Sequence, residues 1–537
     1  MAGVSENGDG DGGGNGQAGG EQEATDGARI PRRRQVIAAL LVAMMVAAME
    51  QLVVSPAMPT IIAQLKGFEI YPWVVSAYLL ASTVSTPIYG KLADLFGRKR
   101  ILLFGLVVFS TGSMLSGTAQ SMGQLIAMRT VQGLGAGAVA PIVLTLLGDI
   151  FTLEERARIQ GLFSTVWGLS SIAGPLIGGW LTVNLNWRWV FFVSVPFAVV
   201  ASLMLAWCLH ERVERRTVAP IDWAGTGLLT AGLSTLLLIV LDGSSLGMQI
   251  DLVLAGLTAV LLVDFVSREL HAEDPILPMD LMIRPTIATS VIGNFLIGGI
   301  LFGIETYVPL FIQGVRGGDA REAGQALTPL FLAWAVSMAF AAPAVVRWGF
   351  RRGGIFGAGL VVMGVMGLIA GAMFPAWTRL AFTVALIVVG MGMGPASLSF
   401  ILAVQHAVSW GQRGVATGAV IFFRTIGGAI GVGLLGGALG WELSYLLTSA
   451  GATGIDVGAA LRPETHHQLT PANLVMVQSV LGLSLRDLYI QMLVLALGTL
   501  LCTAWLPGKP ATIDSASESA SQPETTEPEF IVTGSET

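Results

Sequence analysis

The stretch Gly90-Lys91-Leu92-Ala93-Asp94-Leu95-Phe96-Gly97-Arg98-Lys99-Arg100 decides how the rest of the chain is read. It holds one acid among several bases and lies between two apolar runs, 71–92 and 101–119. Each run is about long enough to cross a hydrocarbon layer of ~30 Å as a helix. Gly90 lets helices approach closely, Asp94 can pair with a base, and Gly97 permits a sharp turn. A compact acid–base turn beneath a bundle can latch one conformation and release it in another. A plain basic loop needs neither the glycine spacing nor the acid.

Outward from that turn the whole chain is apolar. Of its 537 residues 53% are hydrophobic and only 12% charged, and the mean hydropathy is +0.72. A soluble chain carries about 25% charged residues, so a set of soluble domains is excluded. No basic domain or aromatic-basic patch speaks for nucleic-acid binding. The net charge of −6 belongs to the tails, since residues 1–28 and 511–537 each hold six acids and no base. Both tails are too polar to offset chain entropy by burial and are expected to be disordered. The N-terminus lacks the short apolar stretch of a signal peptide. Cys208 and Cys502 lie in separate apolar runs and read as packed thiols.

Backbone groups in lipid must pair within their own segment, which favours helices. Apolar runs of spanning length fall near 35–60, 71–92, 101–119, 124–148, 158–183, 189–209, 221–241, 251–267, 286–313, 323–346, 354–374, 379–402, 412–440 and 487–507. Fourteen spans put both termini on one side. That side holds about 20 of the 29 Lys and Arg residues, and the positive-inside rule places it in the cytoplasm. Arg129 and Arg424 fall inside spans. The expected fold is all-α and polytopic, and the chain is expected to work as a monomer in the cell membrane.

A repeat divides the spans. Gly349-Phe350-Arg351-Arg352 echoes Gly97-Arg98-Lys99-Arg100, Gly390-x-Gly392-x-Gly394 echoes Gly133-x-Gly135-x-Gly137, and Arg413 echoes Arg158, at offsets of 252 to 257 residues. Six spans and their loops fill only part of such an offset, and the surplus is the pair at 221–241 and 251–267. The organisation is therefore a tail (1–31), a six-helix bundle (32–210), a two-helix insertion with its loops (211–285), a second six-helix bundle (286–510) and a tail (511–537). The second bundle includes a long outer loop, 441–486. Two facing homologous bundles are what alternating access around a midplane site requires.

Arg129 lies several residues inside its apolar run, in Arg129-Thr-Val-Gln132-Gly133. On insertion scales such a residue costs about 2.5–3.5 kcal/mol at the centre, so it should face inward and find a carboxylate or carbonyls. Gly133-x-Gly135 fails as a dinucleotide loop because no strand precedes it. In the next span Ser170-x-x-x-Gly174-Pro175-x-x-Gly178-Gly179 offers a smooth face for tight helix contact.

These three stretches resemble the major facilitator superfamily, in its drug:proton antiporter branch with fourteen spans. Gly90, Asp94, Gly97, Arg98 and Arg100 match the superfamily's gating loop. Arg129 with Gln132-Gly133 matches a motif linked to proton coupling, and Gly174, Pro175, Gly178 and Gly179 match the antiporter motif, with Ser170 where glycine is usual. Met49-Glu50-x-x-Val53-Val54 through Pro59-Thr60 resembles the first-span motif, with Glu50 where Asp is commoner. Trp187-Arg188-Trp189 and Asp222-Trp223-x-Gly225 also resemble this branch, although Ser194 replaces the usual Asn. The resemblance covers roughly residues 32–440. It implies a proton-driven exporter that needs no cofactor.

Such an exchanger needs a carboxylate reachable from alternate sides. Nearly all acids between 29 and 510 fall at span ends or in loops, but Glu50 and Glu305 sit well inside apolar runs. Glu50 is the expected proton carrier, with Arg129 beside it, and Glu305 is expected to share the coupling or bind a cationic substrate. An apolar cavity with few polar groups suits amphipathic or cationic drug-like molecules rather than sugars. Export of one dedicated metabolite by the same exchange is the alternative. Enzyme readings are weak: Gly243-x-Ser245-x-Gly247 lacks the strand-turn-helix context of a nucleophile elbow, and His466-His467 has no ligand cluster near it for a metal.

Overall fold

The computed structural model describes residues 30–151, 153–209, 211, 222–242, 247–272, 279–374, 378–409, 412–450, 455, 457–461 and 469–508. The acidic residues of both tails, the His466-His467 pair and Ser245 lie outside those residues.

Without water to satisfy backbone groups, a chain this apolar closes its hydrogen bonds inside helices. The first span, α1 (Ile30–Val53), stops at Val54, passes through a 3-10 turn (Ser55–Ala57) and resumes as α2 (Met58–Leu65). Pro56 and Pro59, which lack the amide a helix interior needs, stand at this break. There follow α3 (Pro72–Phe96), α4 (Arg98–Thr118), α5 (Met122–Ile150), α6 (Leu153–Asn184), the short α7 (Trp189–Phe192) running into α8 (Ser194–Cys208), and the inserted pair α9 (Trp223–Asp242) and α10 (Met248–Glu269). A single turn, α11 (Met279–Met282), leads to α12 (Pro285–Gly314), α13 (Ala320–Trp348), α14 (Phe350–Met373), α15 (Thr378–Ala407), α16 (Arg413–Ser449) and α17 (Pro471–Ala504). Among the described residues 13 segments are long and apolar enough to cross a membrane. The fourteenth span is α3, whose Ser76, Ser82, Thr83, Ser85 and Thr86 make it less apolar because much of it faces the protein interior.

One boundary differs from the sequence reading. The expected outer loop 441–486 is mostly helix, since α16 continues to Ser449 and α17 begins at Pro471. The apolar faces continue past the hydrocarbon, with Leu443 and Leu447 buried on α16 and Val477 and Leu481 on α17. A helix of 37 residues is about 55 Å long, more than the layer requires.

The repeat is a repeat of packing. Helices α3, α4, α5 and α6 with α1 form one set of contacts, and α13, α14, α15 and α16 with α12 form the corresponding one. Gly97 (φ +94°) separates α3 from α4, and Gly349 (φ +89°) separates α13 from α14; a left-handed φ of this kind is costly for any residue with a Cβ. A side chain at Gly133 would strike the Tyr78 carbonyl, and one at Gly390 the Leu330 carbonyl. Gly137 abuts Ser85 as Gly394 abuts Ser337.

The two bundles are pressed together at one face of the membrane. The face at which α1 begins and α17 ends is called the terminal face, and its opposite the far face. At the far face Ser55 Oγ donates to the Glu305 carbonyl, and Thr60 Oγ1 donates to Gln313 Oε1 (3.2 Å). Gln313 Nε2 donates to the Pro56 carbonyl (2.8 Å), and Ser76 Oγ to the Ala429 carbonyl (2.8 Å). Gly179 lies against the Ala320 carbonyl and Gly324 against the Pro175 carbonyl, so α6 and α13 touch through their backbones. A buried turn, Val457–Leu461, caps α2 there. Towards the terminal face an added Cβ at Gly90, Gly161, Gly414 or Gly418 meets nothing within 4 Å.

This arrangement predicts the effect of widening one contact. With Cys208 and Cys502 replaced by serine, Gly324→Leu should force α6 and α13 apart at the far face. A cysteine placed at Thr60 should then react with a membrane-impermeant maleimide several-fold faster than in the Gly324 background.

Candidate functional site

Glu50 stands one turn before the break in α1, and its side chain is buried (1% exposed). The position of this helix end is set from α6. Side chains at Gly174 and Gly178 would collide with Leu52 and the Val53 carbonyl, so the two glycines let α6 press against α1. Arg129 reaches Glu50 from α5, also buried (2% exposed), with Nη1 donating to Glu50 Oε1 at 2.9 Å. The same Nη1 donates to Gln132 Oε1 at 2.7 Å, and Nε lies 3.4 Å from the Val74 carbonyl. The guanidinium lies over the Tyr78 ring, 4.0 Å from its centroid. A buried charge this well surrounded is compensated, while an isolated one is very costly. Two atoms remain without a hydrogen-bond partner: Glu50 Oε2 and Gln132 Nε2.

Glu305 lies across the seam on α12, 5% exposed. Its backbone carbonyl accepts from Ser55, but among the described residues its carboxylate has no hydrogen bond and no ion pair within 4 Å. Arg424 on α16 acts on it electrostatically from beyond that distance. The Glu305 side chain lines a pocket of ≈ 20 Å³ shared with Gln51, Tyr78, Arg129, Phe302 and Thr306. That volume holds about one water.

The repeat makes this asymmetry informative. Glu305 follows Glu50 by 255 residues, within the spread of the repeat offsets, so the two acids occupy related places on α1 and α12. At the 257-residue offset that relates the glycines of α5 and α15, Arg129 maps onto Leu386, which is fully buried. The first bundle pairs its acid directly with an arginine, whereas the second holds its arginine, Arg424, beyond 4 Å from Glu305.

The loop Gly90–Arg100 is assembled at the terminal face. Arg98 pairs with Asp149 at the end of α5 and lies 3.6 Å from Asp94. Glu211 accepts the amides of Arg98 (2.9 Å) and Lys99 (2.8 Å), so a carboxylate closes the open N-terminus of α4. Lys99 Nζ donates to the Ala206 carbonyl at 2.7 Å, tying the loop to α8. Arg100 is exposed. All these partners belong to the first bundle or, for Glu211, to the residue just after it. Gly179 and Pro175 do the reverse and contact the first turns of α13 in the second bundle. The structure therefore joins Glu50 to Arg129 and sets Glu305 in the same pocket as Arg129. It keeps the loop Gly90–Arg100 and the glycine face of α6 towards opposite ends of the bundle.

Sequence reasoning missed Asp149, Glu211, Ser55 and Gln313. Gln313 carried a legible signal as a polar residue in an apolar run, 253 residues after Thr60. Asp149 and Glu211 look like ordinary span-end acids until the helices are placed.

The sequence profile of the Major Facilitator Superfamily matches residues 40–432. The chain belongs to the major facilitator superfamily. Among its relatives in that family, the Multidrug transporter protein MdtP of Bacillus subtilis is 35% identical over 78% of this chain and 77% of its own length. Multidrug resistance protein 3 of the same organism is 33% identical over 75% and 78%. The superfamily fold is also evident in the solved bacterial homolog of the human lysosomal transporter Spinster, which superposes with a TM-score of 0.65 at 17% identity, covering 89% of this chain and 98% of that one. This is a multi-pass membrane transporter fold, and the Val457–Leu461 cap lies beyond the stretch that matches the superfamily.

Removing one partner of the buried pair should show its worth. Arg129→Ala leaves Glu50 uncompensated, an expected loss of about 3–5 kcal/mol, seen as a lower melting temperature in detergent. The double variant Glu50→Gln/Arg129→Gln should recover most of that loss.

Proposed function

We propose that this chain is a proton-coupled efflux antiporter for amphipathic or cationic organic compounds, with Glu50 as the proton carrier. The observation that supports it most is Arg129, paired with Glu50 and lining the same pocket as Glu305 where the two bundles meet. The terminal face is assigned to the cytoplasm, so the far face is the outside and both termini are cytoplasmic. The protein works as a monomer in the cell membrane. The two relatives' printed names, a multidrug transporter and a multidrug resistance protein, support the same reading.

With the far face closed, Glu50 is charged and held by Arg129. When the bundles rock to open outward, the free lone pair of Glu50 Oε2 accepts a proton from outside. The neutral acid releases Arg129, whose guanidinium already lines the pocket of Glu305. Arg129 turned towards Glu305 displaces a cationic cargo from that carboxylate, and cargo leaves as the proton enters. On return the proton passes to the cytoplasm, Arg129 goes back to Glu50, and Glu305 is open to the next cation. Phe302 and Tyr78 give the cargo apolar contact. A cargo site of the usual ~300–1,000 Å³ forms only as the bundles part.

Drug-induced proton release from detergent-purified protein tests this reading. Glu50→Gln should abolish it while leaving the protein folded, and in vesicles an acid exterior should accelerate export by the unsubstituted chain. Cargo movement indifferent to an imposed acid gradient would overturn the proposal. Glu305→Gln should weaken uptake of monovalent cations about tenfold or more, a loss of ~1.4 kcal/mol, and spare neutral compounds.

Export of a single metabolite remains the second reading. It is favoured by a relative named for the acurin A biosynthesis cluster, a transporter of Aspergillus aculeatus 33% identical over 55% of this chain. A panel of unrelated cargos separates the two: broad efflux moves several, a dedicated exporter one.

A further inference from the structure

A second arginine lies inside a span and has no task in the exchange cycle. Arg424 stands well inside α16 and is half-buried. Among the described residues its guanidinium has no hydrogen bond and no ion pair within 4 Å. An arginine at a helix centre costs about 2.5–3.5 kcal/mol on insertion scales, and it is kept where it faces a partner or a cavity.

Its setting is fixed by glycines. Gly298 of α12 touches the Arg424 carbonyl, Gly427 touches the Phe295 carbonyl, and Gly431 touches Gly299, so α12 and α16 meet through their backbones. Glu305 lies further along α12 towards the far face, two to three helical turns from that contact, or ~10–15 Å between backbones at 1.5 Å per residue. Both side chains are long enough to narrow this gap, and Arg424 acts on Glu305 electrostatically while staying beyond 4 Å from it. The carboxylate of Glu305 has no hydrogen bond either among the described residues. Phe302 stands between the two charges. Its ring covers Gly428, one turn after Arg424 on α16, and it lines the pocket of Glu305. The second bundle therefore presents a carboxylate, an aromatic ring and a guanidinium in that order, from the far face towards the terminal face.

Opposite charges held apart in an apolar seam attract each other, yet neither is satisfied. A simple lipophilic cation would partner Glu305 and leave Arg424 as it was. A molecule with a cation at one end, a flat ring in the middle and an acid at the other would partner both, its ring against Phe302. A carboxylate suits the acidic end, because the guanidinium fork donates two parallel hydrogen bonds to it.

We propose that Arg424 is an anion subsite of the cargo site, and that the preferred cargo is a zwitterionic aromatic amphiphile with its cation on Glu305 and its carboxylate on Arg424. The proposal rests on the efflux reading above and narrows its cargo class, and its test separates the two.

Rhodamine 110 carries a free carboxylate beside its cationic ring system, and rhodamine 123 is its methyl ester. Binding of each dye to the full chain in detergent is followed by fluorescence anisotropy, and export is measured in phospholipid vesicles. The unsubstituted chain should bind rhodamine 110 about tenfold more tightly, ~1.4 kcal/mol, although the ester is the more lipophilic. Arg424→Gln should weaken rhodamine 110 about tenfold and bring the two dyes within about twofold of each other. Arg424→Lys should keep part of the preference, since it restores the charge without the fork. Equal binding of the two dyes by the unsubstituted chain overturns the proposal, as does an equal loss for both in Arg424→Gln. Where Arg424→Gln does not fold, seen as a lost melting transition, the ranking of the dyes by the unsubstituted chain and by Arg424→Lys decides. If neither dye is exported while the binding preference holds, the efflux reading fails and the anion subsite stands.

Discussion

Hydrocarbon offers a charged group no partner, and that constraint organises the centre of this protein. Arg129 and Glu50 are tolerated inside apolar helices because each compensates the other, with Gln132 and the Tyr78 ring completing the arginine's surroundings. Helix positions follow from bringing them together. The break at Pro56 ends α1 just beyond Glu50, and the glycine face of α6 lets that helix end sit close to its neighbour. A bulkier α6 would move the carboxylate from its guanidinium.

The two bundles share a packing plan and differ in charge. Glycines at related positions bring related helices to backbone contact, which is why the pseudo-symmetry survives in three dimensions. The ion pair does not repeat: Leu386 stands at the position related to Arg129, and Glu305 has no cation within 4 Å, although Arg129 lines the same pocket and Arg424 acts from farther off. Symmetric scaffolds of this kind suit bundles that rock, and an asymmetric charge distribution makes the two ends of such a motion differ in energy. The contacts of Arg98 with Asp149 and Glu211 do not reach the second bundle, and the side-chain hydrogen bonds from Ser55, Thr60, Ser76 and Gln313 that join the two bundles lie towards the far face.

The inserted pair also breaks the symmetry. It covers one edge of the seam and leaves the other to α6 and α13. Nothing in the composition of α9 signals this, since an apolar helix that faces lipid and one that faces protein are written with the same residues. The two ends of the stretch 441–486 show the same ambiguity. Their apolar residues read as a loop because they fall outside spanning length, whereas they continue the buried faces of two helices beyond the membrane.

Fourteen spans, the internal repeat and the inward-facing Arg129 were legible in the sequence, because hydrocarbon thickness, backbone pairing and the cost of buried charge act on each segment alone. Glu50 and Glu305 stood out for the same reason. Their inequality did not, and neither did the pairing of Arg98 with Asp149, the cap that Glu211 places on α4, or the packing of α9 against α3 and α16. These depend on which helix faces approach one another and at what height. That is settled by packing between segments hundreds of residues apart, a property of the folded bundle that no single apolar run carries.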